Sequence, residues 1–475
     1  MKRIIISLLL LLSLFVNVFA MTACDFLGGG GGTVSDEVVA YDGSQVTITF
    51  SHTMGQNLRG ILDYYITEFN KIYPNITVEH SQVGGYDDLR DTIKTQLTSN
   101  NQPNIAYCYP DHVALYLKSY AVASLDGFIN STDVVTKADG TTEVMGLTAE
   151  QKADFIEGYY AEGAVFDAEG TMYTLPMAKS TEVIFYNADV FEKHGLSVPT
   201  TWEEMEAVCD FLKKEYPNST PLGYDSEANW FITMCEQYGS GYTSTDSSNH
   251  FLFDNETNRG FVKMFREWRE KGYVTTQKIY GSYTSKLFTS QTDAKCFMVI
   301  GSTGGSGNQS PAQVDGEYPF SVGVAPIPQV NPNAPKVISQ GPSLCIFKDS
   351  NPQEVAASWL FVKFLTTSVA FQAEFSMASG YAPVIKSVQK NDVYANFLTQ
   401  ANGTTRLTAL ACKIALEQDD AYFVSPAFVG SSTARDWAGK IMQNVLGAEN
   451  IDVDAYIDEQ FKKAMADCEY AARGN

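Results

Sequence analysis

The stretch Thr171–Glu204, TMYTLPMAKSTEVIFYNADVFEKHGLSVPTTWEE, decides how the rest of the chain is read. It opens on a run in which Met172, Thr174 and Pro176 alternate with Tyr173, Leu175 and Met177, the period of a strand. A short polar turn, Ala178-Lys179-Ser180-Thr181, leads into a second run, Glu182–Tyr186, rich in β-branched and aromatic residues. Asn187 and Asp189 are placed to cap a short helix that Gly195 stops. After Pro199, Thr201-Trp202-Glu203-Glu204 reads as a capping box opening a longer helix through Phe211. This order puts small hydroxyls and a tryptophan at element ends, where a cleft is lined.

Upstream, Gln45–Phe50 alternates like a first strand. Leu58, Ile61, Leu62, Tyr65, Ile66 and Phe69 then recur at helical spacing until Pro74, and Ile76–Glu79 is a second strand. A strand, helix and strand in that order predict a parallel sheet. Tyr86 opens a helix through Leu97, and Pro103–Tyr107 reads as the third strand, with Tyr109-Pro110-Asp111 at its end. Ligands of open α/β sheets gather at the carboxyl ends of strands, so His52, Tyr86 and Tyr109–Asp111 are expected to face one cleft. Residues 131–150 are polar and weakly patterned, and read as a surface insertion.

Downstream come aromatics at Tyr224, Trp230 and Phe231, a helix at Phe261–Glu270 and a strand at Ala294–Ile300. Gly301–Gly307, GSTGGSG, follows that strand. No GK[ST] follows it, so the turn is not a phosphate loop; it offers backbone N–H groups and Ser302 to a polar ligand.

The pattern LPM-x-x-S-T-E-V-x-x-Y-N-x-D-V-F-x-x-x-G-L-x-x-P-x-T-W-E-E at 175–204 resembles a signature of extracellular solute-binding proteins of ABC importers, the family of maltose, multiple-sugar and glycerol-phosphate binders. FNKIYPNITVEH, Leu125-Asp126, the GSxG turn at 301–304, VGVAPIP at 322–328, SQGPSLCIF at 339–347 and SGYAPV at 379–384 fall in the same order. The resemblance implies an α/β, two-lobed, periplasmic-binding-protein-like (type II) fold with three inter-lobe crossings, near 178–184, 339–345 and 421–427. Lobe 1 is expected at 45–180 and 345–420, and lobe 2 at 181–344 and 421–475. It also implies a monomer with no catalytic group, cofactor or metal, which captures a sugar or polyol and delivers it to ABC permease subunits.

Within the family the glycerol-phosphate-binding members match best. Carried over by motif position, the ligand contacts are Tyr86, Ser180, Trp202, Ser302, Gly341 and Tyr381. Those members place an acid at the end of the third strand, where Pro110 and Asp111 stand here, and Asp111 is the carried-over candidate. Their phosphate-holding arginine falls near Phe428, with Arg435 further on. Losing a bidentate guanidinium removes the strongest phosphate contact. An uncharged carbohydrate stacked on Trp202, Trp230, Tyr86 or Tyr381 is therefore expected, with glycerol phosphate or a glycerophosphodiester as the alternative. A surface glycoside hydrolase is the rival class, since a carboxylate pair leaves no sequence signature. Yet no HExxH, GxSxG or metal-ligand spacing occurs.

At 475 residues the chain is long enough for two or three domains. Lys2-Arg3 precede the apolar run Ile4–Ala20, and Met21-Thr22-Ala23-Cys24 resembles a bacterial lipobox. Residues 1–23 read as a signal peptide, Cys24 as the lipid-bearing first residue of the mature chain, and 24–44, with Gly28–Gly32, as a tether holding the protein on the extracytoplasmic face of the cell membrane. Loss of 1–23 removes two basic residues and no acids, taking the formal charge from -22 to -24. So acidic a surface argues against nucleic acid. The seven other cysteines are scattered without CxxC spacing and read as buried thiols.

Overall fold

The alternation in the first strand buries Val46, Ile48 and Phe50 on one face, and this is where the first core begins. A computed structural model describes residues 38–246, 248–290 and 295–473. The signal peptide, Cys24 and most of the tether lie outside the described residues. Residues 38–44, expected in the tether, already belong to the body: Tyr41 is buried, donates to the Ser44 carbonyl at 2.6 Å and meets the Tyr73 ring edge-on.

The first lobe starts with β1 (Val46–His52), α1 (Gln56–Ile72), β2 (Ile76–Gln82), α2 (Tyr86–Leu97), β3 (Ile105–Cys108) and α3 (Pro110–Leu117). β1 pairs in parallel with β2 and β3, as the sequence predicts. Residues 131–150 lie mostly at the surface, as expected, but they carry regular structure. They form a hairpin, β4 (Val134–Thr136) and β5 (Thr142–Val144), followed by buried Met145 and Leu147. The Trp359 indole donates to the Met145 carbonyl at 2.8 Å and Lys363 to that of Val144 at 2.6 Å, stitching the insertion down.

The chain leaves this lobe through β6 (Thr174–Pro176) and enters the second sheet at β7 (Glu182–Asn187). The caps fall where the sequence puts them. Asn187 accepts from the Val190 N–H, Gly195 closes the short helix at φ +63°, and Thr201 accepts from the Glu204 N–H. The Glu204 carboxylate takes the Thr200 N–H, one residue before the expected partner. The second lobe continues with α4 (Trp202–Glu215), β8 (Leu222–Tyr224), α5 (Glu227–Tyr238), α6 (Glu256–Glu270), β9 (Val274–Thr276), β10 (Met298–Ser302) and β11 (Val322–Pro326). The turn expected at Gly301–Gly307 is the end of β10 running into a 3-10 helix, Thr303–Gln309.

The return path is β12 (Val337–Ile338), β13 (Ser343–Ile346), α7 (Pro352–Thr367), α8 (Val369–Ser379), α9 (Leu407–Glu417), β14 (Tyr422–Phe423), α10 (Ser431–Gly447) and α11 (Val453–Ala472). The sheets run β2-β1-β3-β13-β6 and β11-β7-β10-β8-β9. Both are mixed: β13 lies antiparallel to β3 and β6 in the first, and β7 lies antiparallel to β10 and β11 in the second. β7 is covered on both faces, with Ile184 in the main core of its lobe and Val183 and Phe185 in a smaller one beneath. Leu407 belongs to that smaller core, so the start of α9, expected wholly in lobe 1, packs under the second sheet.

Three crossings join the lobes. The first two run side by side: Ser180 and Gln340 exchange backbone hydrogen bonds at 2.9 and 2.8 Å, and Met177 donates to Pro342 O at 3.0 Å. Gly341 sits at φ +100°, and a Cβ there would lie 2.4 Å from the Ala178 carbonyl oxygen. Only glycine permits that approach. The third crossing follows α9, where β14 pairs in parallel with β12.

Candidate functional site

The crossings form the floor of a cleft between the sheets, with about 2620 Å³ of free space counted out to its mouth. One wall is aromatic. Tyr86, at the start of α2, stacks on Tyr109 at a centroid distance of 4.3 Å and 16°, and lies nearly parallel to Tyr107 at 6.5 Å. The hydroxyls of Tyr86 and Tyr381 lie close to each other on this wall. Tyr381 reaches across to the other lobe, where a Cβ on Gly304 would fall 2.6 Å from its ring. The glycine there makes room for an aromatic face.

The floor is polar. Ser302 Oγ donates to Ser180 Oγ at 3.1 Å and accepts from the Gly304 N–H. Beside them Glu182, almost fully buried, accepts from Tyr224 Oη at 2.6 Å and from the Asn229 amide at 3.2 Å. Burial raises its carboxyl to about 7, against the opposing pull of Tyr224, Asn229 and the Arg435 guanidinium. Arg435, on the first turn and a half of α10, donates to Asn229 Oδ1 at 2.5 Å and lies 5.6 Å over the Tyr109 ring. The guanidinium is thus held by an amide and an aromatic face, with its edge on the cleft. At the cleft rim, Arg90 of α2 bridges the lobes, reaching Asp436 at 2.9 Å and Ser432 at 3.2 Å.

Of the residues singled out from sequence, Tyr86, Ser180, Ser302 and Tyr381 line this cleft together. Asp111 lies behind it, in a smaller chamber. Gly341 shapes the crossing. Trp202 and Trp230 are not cleft residues. Trp202 is 2% exposed, with its indole N–H on Gln237 at 2.8 Å, and Trp230 is fully buried, stacked on Tyr224 at 4.6 Å. Both helices turn these rings toward the core of their own lobe.

His52 is also buried rather than facing the cleft. Its Nδ1 accepts from the Met54 N–H, so Nε2 carries the proton and donates to His80 Nδ1 at 2.8 Å, and His80 in turn donates to Asp63. Phe428, the expected replacement for a phosphate-holding arginine, stacks on His250 at 4.3 Å within the second lobe. The cleft arginine is Arg435. Glu182 and Asn229 are not among the residues singled out from sequence, whereas Arg435 stood there as the arginine that a shift of the late loop would bring into the cleft; Glu182 had a signal, standing beside the Ser180-Thr181 turn. The seven described cysteines are buried thiols without disulfides.

Two lobes around a cleft, joined by three crossings, define a binding protein that holds its ligand between halves. The family of bacterial extracellular solute-binding proteins matches residues 64–399, and this chain belongs to it. The sn-glycerol-3-phosphate-binding periplasmic protein UgpB of Escherichia coli (strain K12) is 23% identical over 356 residues, 72% of this chain and 75% of its own. Among solved structures, UgpB from Mycobacterium tuberculosis in complex with glycerophosphocholine is similar at TM-score 0.71 and 18% identity, covering 90% of this chain and 99% of that one. The maltose/maltodextrin-binding domain MalE from Bdellovibrio bacteriovorus bound to maltotriose is similar at 0.67 and 17%, covering 90% and 100%. At these identities the structural likeness is one of fold.

Proposed function

We propose that this protein captures a neutral carbohydrate or polyol in the cleft and hands it, unaltered, to the permease of an ABC importer. The charge of the cleft carries this reading. Asp87, Asp88, Glu182, Asp225, Glu227 and Asp436 line it against Lys278, Arg435 and Lys440, beside a wall of tyrosines. An acidic cleft disfavours a doubly charged phosphomonoester, whereas tyrosine faces suit the apolar faces of a sugar ring. Arg435 favours a second reading, a glycerophosphodiester, whose single charge the guanidinium can meet. With either ligand, the lipobox-like Met21–Cys24 supports a lipid anchor on the extracytoplasmic face of the membrane, where the protein acts as a monomer.

Calorimetric titration with maltose, maltotriose, glycerophosphocholine and glycerol 3-phosphate tests this. The sugars are expected to bind more tightly than glycerol 3-phosphate, with little dependence on salt. Any phosphate binding should weaken as pH rises through about 7, because Glu182 gains its charge there beside the ligand. Tightest binding by glycerol 3-phosphate, abolished in Arg435→Ala, contradicts the reading.

A further inference from the structure

The binding function proposed above leaves unused three titratable side chains that stand in line beneath the lip of the cleft. His52, at the end of β1, is fully buried, and His80, on β2, keeps 17% of its side chain exposed. Their rings stack at 5.1 Å, with His52 Nε2 2.8 Å from His80 Nδ1 and His80 Nε2 2.7 Å from Asp63 Oδ1 of α1. At the inner end, the Met54 N–H donates to His52 Nδ1 at 3.1 Å. Thr53, Met54 and Gly55, the turn between β1 and α1, line the cleft together with Leu58. The line therefore runs from an exposed carboxylate to the backbone of a cleft-lining turn.

Hydrogen-bond direction along this line is fixed from both ends. The Met54 N–H only donates and the Asp63 carboxylate only accepts, so each ring carries its single proton on Nε2 and accepts on Nδ1. A second proton on His80 has only Nδ1 to occupy, where it faces the His52 Nε2–H. Two donors cannot share that 2.8 Å contact. Moving the His52 proton to Nδ1 relieves it, but sets that proton against the Met54 N–H. Either the ring that anchors Met54 loses its support, or Met54 loses its anchor. We propose that protonation of His80 is relayed through His52 to the Met54 turn, so that the cleft holds its ligand less tightly in acid.

The surroundings direct the proton to His80. Asp63, on its outer side, offers the imidazolium an ion pair. His52 is pushed down to about 3 by burial and by the charges of His80 and Arg59, against the opposing pull of Asp63. β3 and α7 contribute the uncharged rings of Tyr107 and Phe361, beside His52 and its neighbour Phe50.

The effect on ligand rests on the binding function proposed above, whereas the relay itself is read without ligand. Wild type, His80→Asn and Asp63→Asn are compared at pH 8 and pH 5, the span over which an ordinary imidazole takes its proton. Asparagine at position 80 keeps an acceptor where Nδ1 stood and does not titrate. Glu182 also titrates near 7, so every change is judged against His80→Asn at the same pH. In ligand-free protein at pH 5, the Met54 amide of wild type is expected to exchange with solvent about threefold to tenfold faster than that of His80→Asn, and equally at pH 8. The His52 ring nitrogens should change their NMR shifts over the same interval in wild type and not in His80→Asn. Maltotriose affinity should fall about threefold to tenfold more in wild type than in His80→Asn, and Asp63→Asn should move that fall to lower pH. Met54 exchange and His52 shifts that respond to pH alike in wild type and His80→Asn refute the relay and leave the binding function standing. A relay seen at Met54 with no difference in affinity overturns the effect on the cleft. If neither maltotriose nor glycerophosphocholine binds wild type at pH 8, the binding function fails and the link to affinity with it, and the exchange data alone decide the relay.

Discussion

Lys179→Met is expected to destabilise the protein by about 3–5 kcal/mol, the cost of leaving one partner of a buried ion pair uncompensated. Lys179 is 1% exposed and Glu162 5%. The ammonium contacts the Glu162 carboxylate and lies 3.4 Å from Ser343 Oγ, while Ser339 Oγ donates to the other Glu162 oxygen at 2.8 Å. Lys179 belongs to the first crossing, and Ser339 and Ser343 flank the second, so the pair ties the two together where the lobes pivot. The double variant Lys179→Met/Glu162→Gln removes both charges and should recover most of the loss. Urea denaturation of the single and double variants measures this. Equal loss in both would mean that the side-chain shape, not the unpaired charge, sets the cost.

The second large effect is on ligand affinity. Tyr86→Ala removes the outer ring of the Tyr86–Tyr109 stack and the hydroxyl that meets Tyr381. Truncating an aromatic platform costs about 2–3 kcal/mol, or roughly 30- to 150-fold in Kd. Tyr86→Phe keeps the face and should lose less than about fivefold. Calorimetry with the tightest-binding sugar decides it. Trp202→Ala, by contrast, should act mainly on stability, because its ring is packed into the second-lobe core against Phe265 and Trp268. A Trp202→Ala protein that stays folded but loses more affinity than Tyr86→Ala would contradict the placement of the wall.

Elements and caps were legible because they follow from local period and local chemistry. The helices at Gln56–Ile72 and Trp202–Glu215 and the stop at Gly195 needed only neighbouring residues, whereas the crossing pattern came from the family resemblance. What failed depended on which face of an element meets the cleft. Trp202 starts the stripe Trp202, Met205, Cys209 and Leu212, all buried, and that helical spacing assigns its ring to the core. The capping box at Thr201–Glu204 fixes where the helix begins but not which face its first residue takes. The strand-end rule placed His52 near the cleft, but the Met54 N–H and His80 hold its ring inward.

Arg435 illustrates the other limit. A motif alignment set Phe428 in the arginine's place, yet the loop before α10 turns Phe428 onto His250 and Phe251. That pairing spans more than 170 residues and has no local signal. The cleft guanidinium comes instead from within the helix, oriented by Asn229 of α5. Residues 131–150 are largely the surface insertion that the sequence suggests, but polar neighbours hide Met145 and Leu147; both are buried, and the Met145 carbonyl meets Trp359, more than 200 residues away.

The account turns on a solute held between two lobes that pivot on three crossings, with Arg90 reaching Asp436 and Ser432 across the rim. Lobes joined this way hinge, and a ligand touching both favours the closed arrangement. Small-angle X-ray scattering of the protein alone and at saturation with the tightest-binding sugar tests this most directly. The account predicts a smaller radius of gyration and a shorter maximum dimension with ligand. An unchanged profile at proven saturation would contradict it.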